Sequence, residues 1–113
     1  MKTLGTLGVG DKVLFINYID VNEINCIESV ERNTVQYISD LKHGRVIGYI
    51  SERDGRTREL NIYPHQFWLK ALKSYTYHGS TIVCPNKDIA LDIIKEDKEK
   101  QMGRYNKMMA NLK

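Results

Sequence analysis

Between Lys12 and Cys84 the apolar residues come in short runs or alternate with polar ones, and turn residues punctuate them. After Asn86 they recur every three or four positions. The first rhythm is that of strands and the second that of a helix. A turn at Gly8, Gly10 and Asp11 leads into KVLFINYI (12–19), whose four consecutive apolar residues suit a strand buried on both faces. Residues 21–23 form a loop. INCIESVER (24–32) and TVQYIS (34–39) are rich in β-branched and aromatic residues, and they read as a hairpin with Arg32-Asn33 between them. A turn from Asp40 to Gly44 separates these from RVIGYISE (45–52) and RTRELNIY (56–63). That pair forms a hairpin around Asp54-Gly55, the strongest two-residue turn signal in the chain.

Tyr63-Pro64-His65 ends that strand. FWLKALK (67–73) fits either a short helix, with Pro64 at its first position, or a strand. SYTYHGSTIVC (74–84) predicts a last hairpin turning at His78-Gly79 and stopped by Pro85. Asn86 is a good N-cap, and Asp88 suits the first turn of a helix beginning there. Ile89, Ala90, Ile93 and Ile94 make a core-facing stripe. KEDKEKQ (95–101) then lacks any apolar residue, and the stripe resumes at Met102, Tyr105, Met109 and Leu112, with Gly103 weakening the helix there.

Six short strands joined by hairpins, then one helix, define a mainly β (α+β) chain: a small antiparallel barrel or curled sheet over 5–84 and a C-terminal helix over 86–112 whose end protrudes. GVGDKVLF, a Gly-Asp turn feeding an apolar strand, is similar to the opening of SH3-like barrels of the Tudor or KOW sort, a resemblance at superfold level that could span 8–84. The glycine spacing of a KOW motif and a recognisable aromatic cage are absent from the sequence.

At 113 residues and 42% hydrophobic, the chain has the size and composition of a single globular domain, 1–113. No apolar run nears the ~20 residues of a membrane span, and the N-terminus has no apolar signal-peptide core, so a cytoplasmic location is expected, the host's if the source is viral. Abundant Ile, Lys, Asn and Tyr with only two prolines is the bias of an AT-rich genome, common in phages and low-GC bacteria. Cys26 and Cys84 lie far apart in apolar runs and read as reduced, buried thiols. No CxxC and no Cys/His pair at ligand spacing points to a metal, no P-loop or GxSxG to an enzyme or cofactor, and His43, His65 and His78 are scattered.

Charge divides unevenly. Residues 11–40 carry −4, 42–73 carry +4 and 95–113 carry +3. The basic middle holds SERDGRTRE (51–59). A two-residue Asp54-Gly55 turn would set Arg53 opposite Arg56, Glu52 opposite Thr57, Ser51 opposite Arg58 and Tyr49 opposite Leu60. The three arginines would then share the face bearing Ile47, Tyr49, Leu60 and Ile62. Two non-catalytic binding roles fit this distribution. In the first, Arg45, Arg53, Arg56, Arg58, Lys70 and Lys73 contact nucleic-acid phosphates while Tyr49 or Tyr63 stacks on a base. In the second, a phage-type regulator or inhibitor presents the arginine hairpin to an acidic protein surface, or docks the helix stripe Met102, Tyr105, Met109 and Leu112 on a partner or a second copy. The opposing readings are a hydrated turn whose three bases face three acids across 52–59, and a helix that folds back on the sheet or frays. Phe67 and Trp68 read as core.

Overall fold

The computed structural model describes residues 3–21, 24–63, 76–77 and 81–112. Six antiparallel strands form one sheet: β1 (Lys12–Val21), β2 (Ile24–Leu41), β3 (Gly44–Ile50), β4 (Thr57–Ile62), β5 (Thr76–Tyr77) and β6 (Thr81–Cys84), in the order β4-β3-β2-β1-β6-β5. After β6 comes one helix, α1 (Lys87–Asn111). Among the described residues no pairing joins β4 to β5, so the sheet curls without closing. Residues 67–73, with Lys70, Lys73 and the aromatics Phe67 and Trp68, lie outside the described residues, as do the turn at His78-Gly79 and the break at Pro64-His65.

The two segments read as a hairpin around Arg32-Asn33 are one continuous strand. β2 runs 18 residues without a turn. Its first half pairs with β1, from Val21↔Ile24 to Lys12↔Thr34, and its second half with β3, from Thr34↔Ile50 to Leu41↔Gly44. Two irregularities bend it. The register shifts at Asn17/Tyr18 leave Glu28 as an extra residue, and those at Val35/Tyr37 do the same for Gln36. Such bulges increase the local twist, which lets one strand serve two halves of a curled sheet.

The sheet buries both faces, as the KVLF run requires. Cross-strand partners lie on the same face, so the register sorts the core. One face carries Val13, Phe15, Val35, Ile47, Tyr49, Leu60, Ile62 and Val83, all buried. The curl folds this face over itself, bringing the Phe15 and Tyr49 rings edge to face at 5.1 Å from strands that are not neighbours. The other face carries Leu14, Ile16, Ile82 and Cys84, against which α1 sets Ile89, Ala90 and Ile93. Gly48 on β3 is crossed by the ring of Tyr37, its partner on β2, which occupies the space any side chain at 48 would need.

The helix begins where the sequence places it. Asn86 has extended backbone angles, and its Oδ1 accepts the Ile89 N–H at 3.0 Å. The turn before β1 is also as expected: Asp11 accepts the Gly8 N–H through its carboxylate, and its own N–H donates to the Gly8 carbonyl. Leu4 and Leu7, ahead of that turn, are buried parts of the core.

Candidate functional site

The arginine hairpin differs from the two-residue turn. Ile50 pairs with Thr57, Tyr49 with Arg58 and Ile47 with Leu60, and the Ser51 N–H donates to the Arg56 carbonyl. Residues 52–55 therefore form a four-residue loop. The Gly55 N–H closes it onto the Ser51 carbonyl, and Gly55 takes φ +70°, the left-handed conformation that costs glycine least. The register is displaced by two residues, so Arg53 and Arg56 do not face each other in a ladder. Relieving that like-charge contact is one physical reason for the longer loop.

The loop is anchored to β2 at the residues expected to be a turn. The Glu52 N–H donates to Asn33 Oδ1 at 3.0 Å, and the Arg32 N–H donates to Glu52 Oε2 at 2.6 Å. Asn33, with 0% exposure, thus holds a loop against the strand. Arg58 Nη2 contacts Asp54 Oδ2 at 2.6 Å. The Arg56 backbone N–H, and then the Arg58 guanidinium, hold the Asp54 carboxyl below the usual carboxylate range.

The expected binding residues are dispersed. Arg45 lies on β3 opposite Asp40, donating to its Oδ1 at 2.7 Å and to the Leu4 and Leu7 carbonyls at 3.2 and 2.9 Å. This guanidinium fastens the N-terminal segment to the sheet and is not presented to a phosphate. Tyr49 is 4% exposed, which corrects the expectation of a stacking ring: its face is the core face. Arg58 is on that face, as expected, at its outer end. Arg53 is exposed and approaches Glu31 at 4.0 Å. Arg56 and Tyr63 are exposed.

Arg53 and Arg58 share a cleft of about 400 Å³ with Glu31, Asn17, Ser51 and Thr81. Asn17 organises the side of the cleft opposite the loop: its Nδ2 donates to Ser29 Oγ and Glu31 Oε1, and its Oδ1 accepts from Thr81 Oγ1. Sequence reasoning does not find these residues, because Asn17 and Thr81 are 64 positions apart and meet only through the β1–β6 pairing.

On α1, the exposed fractions are 53% at Met102, 60% at Tyr105, 56% at Met109 and 88% at Leu112. Every residue from 102 to 112 is exposed, so this half of the helix does not fold back on the sheet. Among the described residues no group of three His, Cys, Asp or Glu side chains could hold a metal ion, and no helix is long and apolar enough to cross a membrane. No protein-family model, curated protein or solved structure matches the chain.

Proposed function

We propose that this protein is a non-catalytic protein-binding module whose contact surface is the distal half of α1. The observation that carries this reading is the stripe Met102, Tyr105, Met109 and Leu112, at successive steps of three, four and three, each residue more than half exposed on a helix whose proximal turns bury Ile89, Ala90 and Ile93. Contiguous exposed apolar side chains mark an interaction surface, and methionine adapts to uneven partners.

The first occupant is a second copy of the chain. Steps of three and four are those of a helix–helix seam. Sedimentation equilibrium over a wide concentration range tests this. A concentration-dependent dimer that Met102→Ser/Tyr105→Ser/Met109→Ser abolishes is the expected result. A persistent monomer would remove the self-pairing and leave the stripe to a different protein, as a regulator or inhibitor would require.

Nucleic-acid binding is the second reading, supported by the exposure of Arg53 in the loop and Arg56 at its end. With Arg45 and Arg58 engaged by carboxylates, it rests on fewer free cations than the +4 of the middle segment suggests. Anisotropy of labelled oligonucleotides should then fall steeply with salt and depend on Arg53 and Arg56. Absence of binding at low salt would retire it.

A further inference from the structure

A second concave surface lies at the proximal end of α1, on the opposite face of the sheet from the arginine cleft. It is a trough of about 430 Å³ between β1–β2 and the first turns of the helix. Leu14, Val30, Leu91 and Ile94 supply its apolar surface; Leu14 is buried, while Val30 and Leu91 remain open to solvent. Lys12, Arg32 and Lys87 stand around it, and among the described residues none has a carboxylate within ion-pairing distance. Lys12 Nζ donates to Thr34 Oγ1, a neutral partner. Asp11, the one acid among the described residues lining the trough, has an oxygen engaged by the Gly8 N–H. The positive end of the α1 dipole adds to the same sign.

We propose that this trough docks an acidic amphipathic helix of a partner protein, with leucine-like side chains on Leu14, Val30, Leu91 and Ile94 and carboxylates against Lys12, Arg32 and Lys87. The trough is open to solvent along one side, which favours an element laying one face into it over a small ligand, because small-molecule sites enclose most of their ligand. The charge excludes the chain's own distal helix as occupant: residues 104–113 carry bases alone. This surface is therefore separate from the self-pairing stripe.

The test uses the full chain and two fluorescein-labelled helical peptides of about fifteen residues with the same leucine positions, one with glutamate and one with lysine at the remaining charged sites. The glutamate peptide should bind at least about tenfold tighter than the lysine peptide. Lys12→Glu/Arg32→Glu/Lys87→Glu should invert that preference, and Leu91→Ser should weaken binding of the glutamate peptide. Lys87→Gln alone, at an exposed position, gives a smaller loss in the same direction should the triple variant fail to fold. The stripe variant Met102→Ser/Tyr105→Ser/Met109→Ser should bind the glutamate peptide unchanged, so failure of either surface is read independently. Equal affinity for both peptides, indifference to the cations, or no binding of the glutamate peptide would overturn the proposal. Phosphatidylserine vesicles that bind wild type but not the triple variant, with no peptide binding, would also overturn it, assigning the trough to an anionic membrane.

Discussion

Arg45 decides how much of the basic middle segment is free to act. Its guanidinium is mostly buried and divides its donors between one carboxylate and two main-chain carbonyls. Asp40 is well exposed, and exposed ion pairs are weak, so the carbonyl contacts dominate what the side chain contributes. Hydrogen bonds to a charged donor contribute about 1.5–3 kcal/mol. Arg45→Met should therefore destabilise the protein by about 2 kcal/mol in urea unfolding, and Asp40→Asn by clearly less. If the two substitutions cost the same, the ion pair and not the N-terminal clasp is what matters. The thiols make a second contrast at this scale. Burial pushes Cys84 up to about 12, whereas Cys26 is only partly buried. Thiolates are the reactive form, so Ellman's reagent at pH 8 should titrate one thiol in the native protein and two in denaturant. Two native thiols would mean that the β6–α1 layer opens readily. Burial was legible for Cys84 from its apolar run, whereas the same expectation for Cys26 is corrected by its partial exposure. The role of Asn33 was not legible. An asparagine inside a strand normally signals a turn, and what holds it here is a backbone N–H 19 residues away on its Oδ1, while its Nδ2 is buried with no partner among the described residues.

Among the elements, α1 was the most legible, because its cap and stripe are local features. Asn86→Ala removes the Oδ1 acceptor from the Ile89 N–H and should cost about 1 kcal/mol. Gly103→Ala, at a helical position where a Cβ would meet nothing within 4 Å, should add up to about 1 kcal/mol. A neutral result at 103 would mean that the distal half unfolds independently of the sheet. The hairpin was legible in the faces of its strand residues and not in its register, and Arg53 and Arg56, expected on the face of Arg58, fall in the loop and at its end. A slide of two residues preserves alternation, so Arg58, Leu60 and Ile62 keep the face expected of them although every partner changes. What fixes the register is the anchoring of Glu52 on β2, which no feature of 51–59 announces. The loop also carries an acid dependence. Asp54 and Asp40 both titrate below their ordinary value in the folded state, Asp54 chiefly through the Arg56 N–H and Asp40 chiefly through its hydrogen bond to Arg45. A depressed folded pKa contributes stability above the unfolded pKa and loses it as pH falls through the folded one. Thermal unfolding should thus show wild type losing stability below about pH 4 more steeply than Asp54→Asn/Asp40→Asn. Parallel curves would mean that neither carboxylate is paired in solution.

For the molecule as a whole, the division into a packed body and an exposed helical extension is what most constrains function. The mainly β class with a terminal helix was legible in the strand and helix rhythms. A curled sheet was one of the two forms the sequence allowed, but the choice between it and a closed barrel was not legible, because closure depends on bulges at Glu28 and Gln36 that leave no mark on hydrophobic alternation. The +4 of residues 42–73 also fails to form one patch among the described residues, since sequence neighbours separate once β3 and β4 curl: Arg45 faces the N-terminal segment and Arg53 faces Glu31. The sharpest test of this division is a chain truncated after Gln101. Residues 102–112 are all exposed, so their removal takes no described core contact from the sheet or from Ile89, Ala90 and Ile93. The truncated chain at low concentration should melt within a few degrees of wild type, a difference of under about 1 kcal/mol for a domain of this size. It should also sediment as a monomer where the full chain associates. A large fall in melting temperature at all concentrations would place the distal helix in the fold itself. A fall only at concentrations where the full chain is dimeric is the signature of association, because binding to the native state stabilises it by mass action.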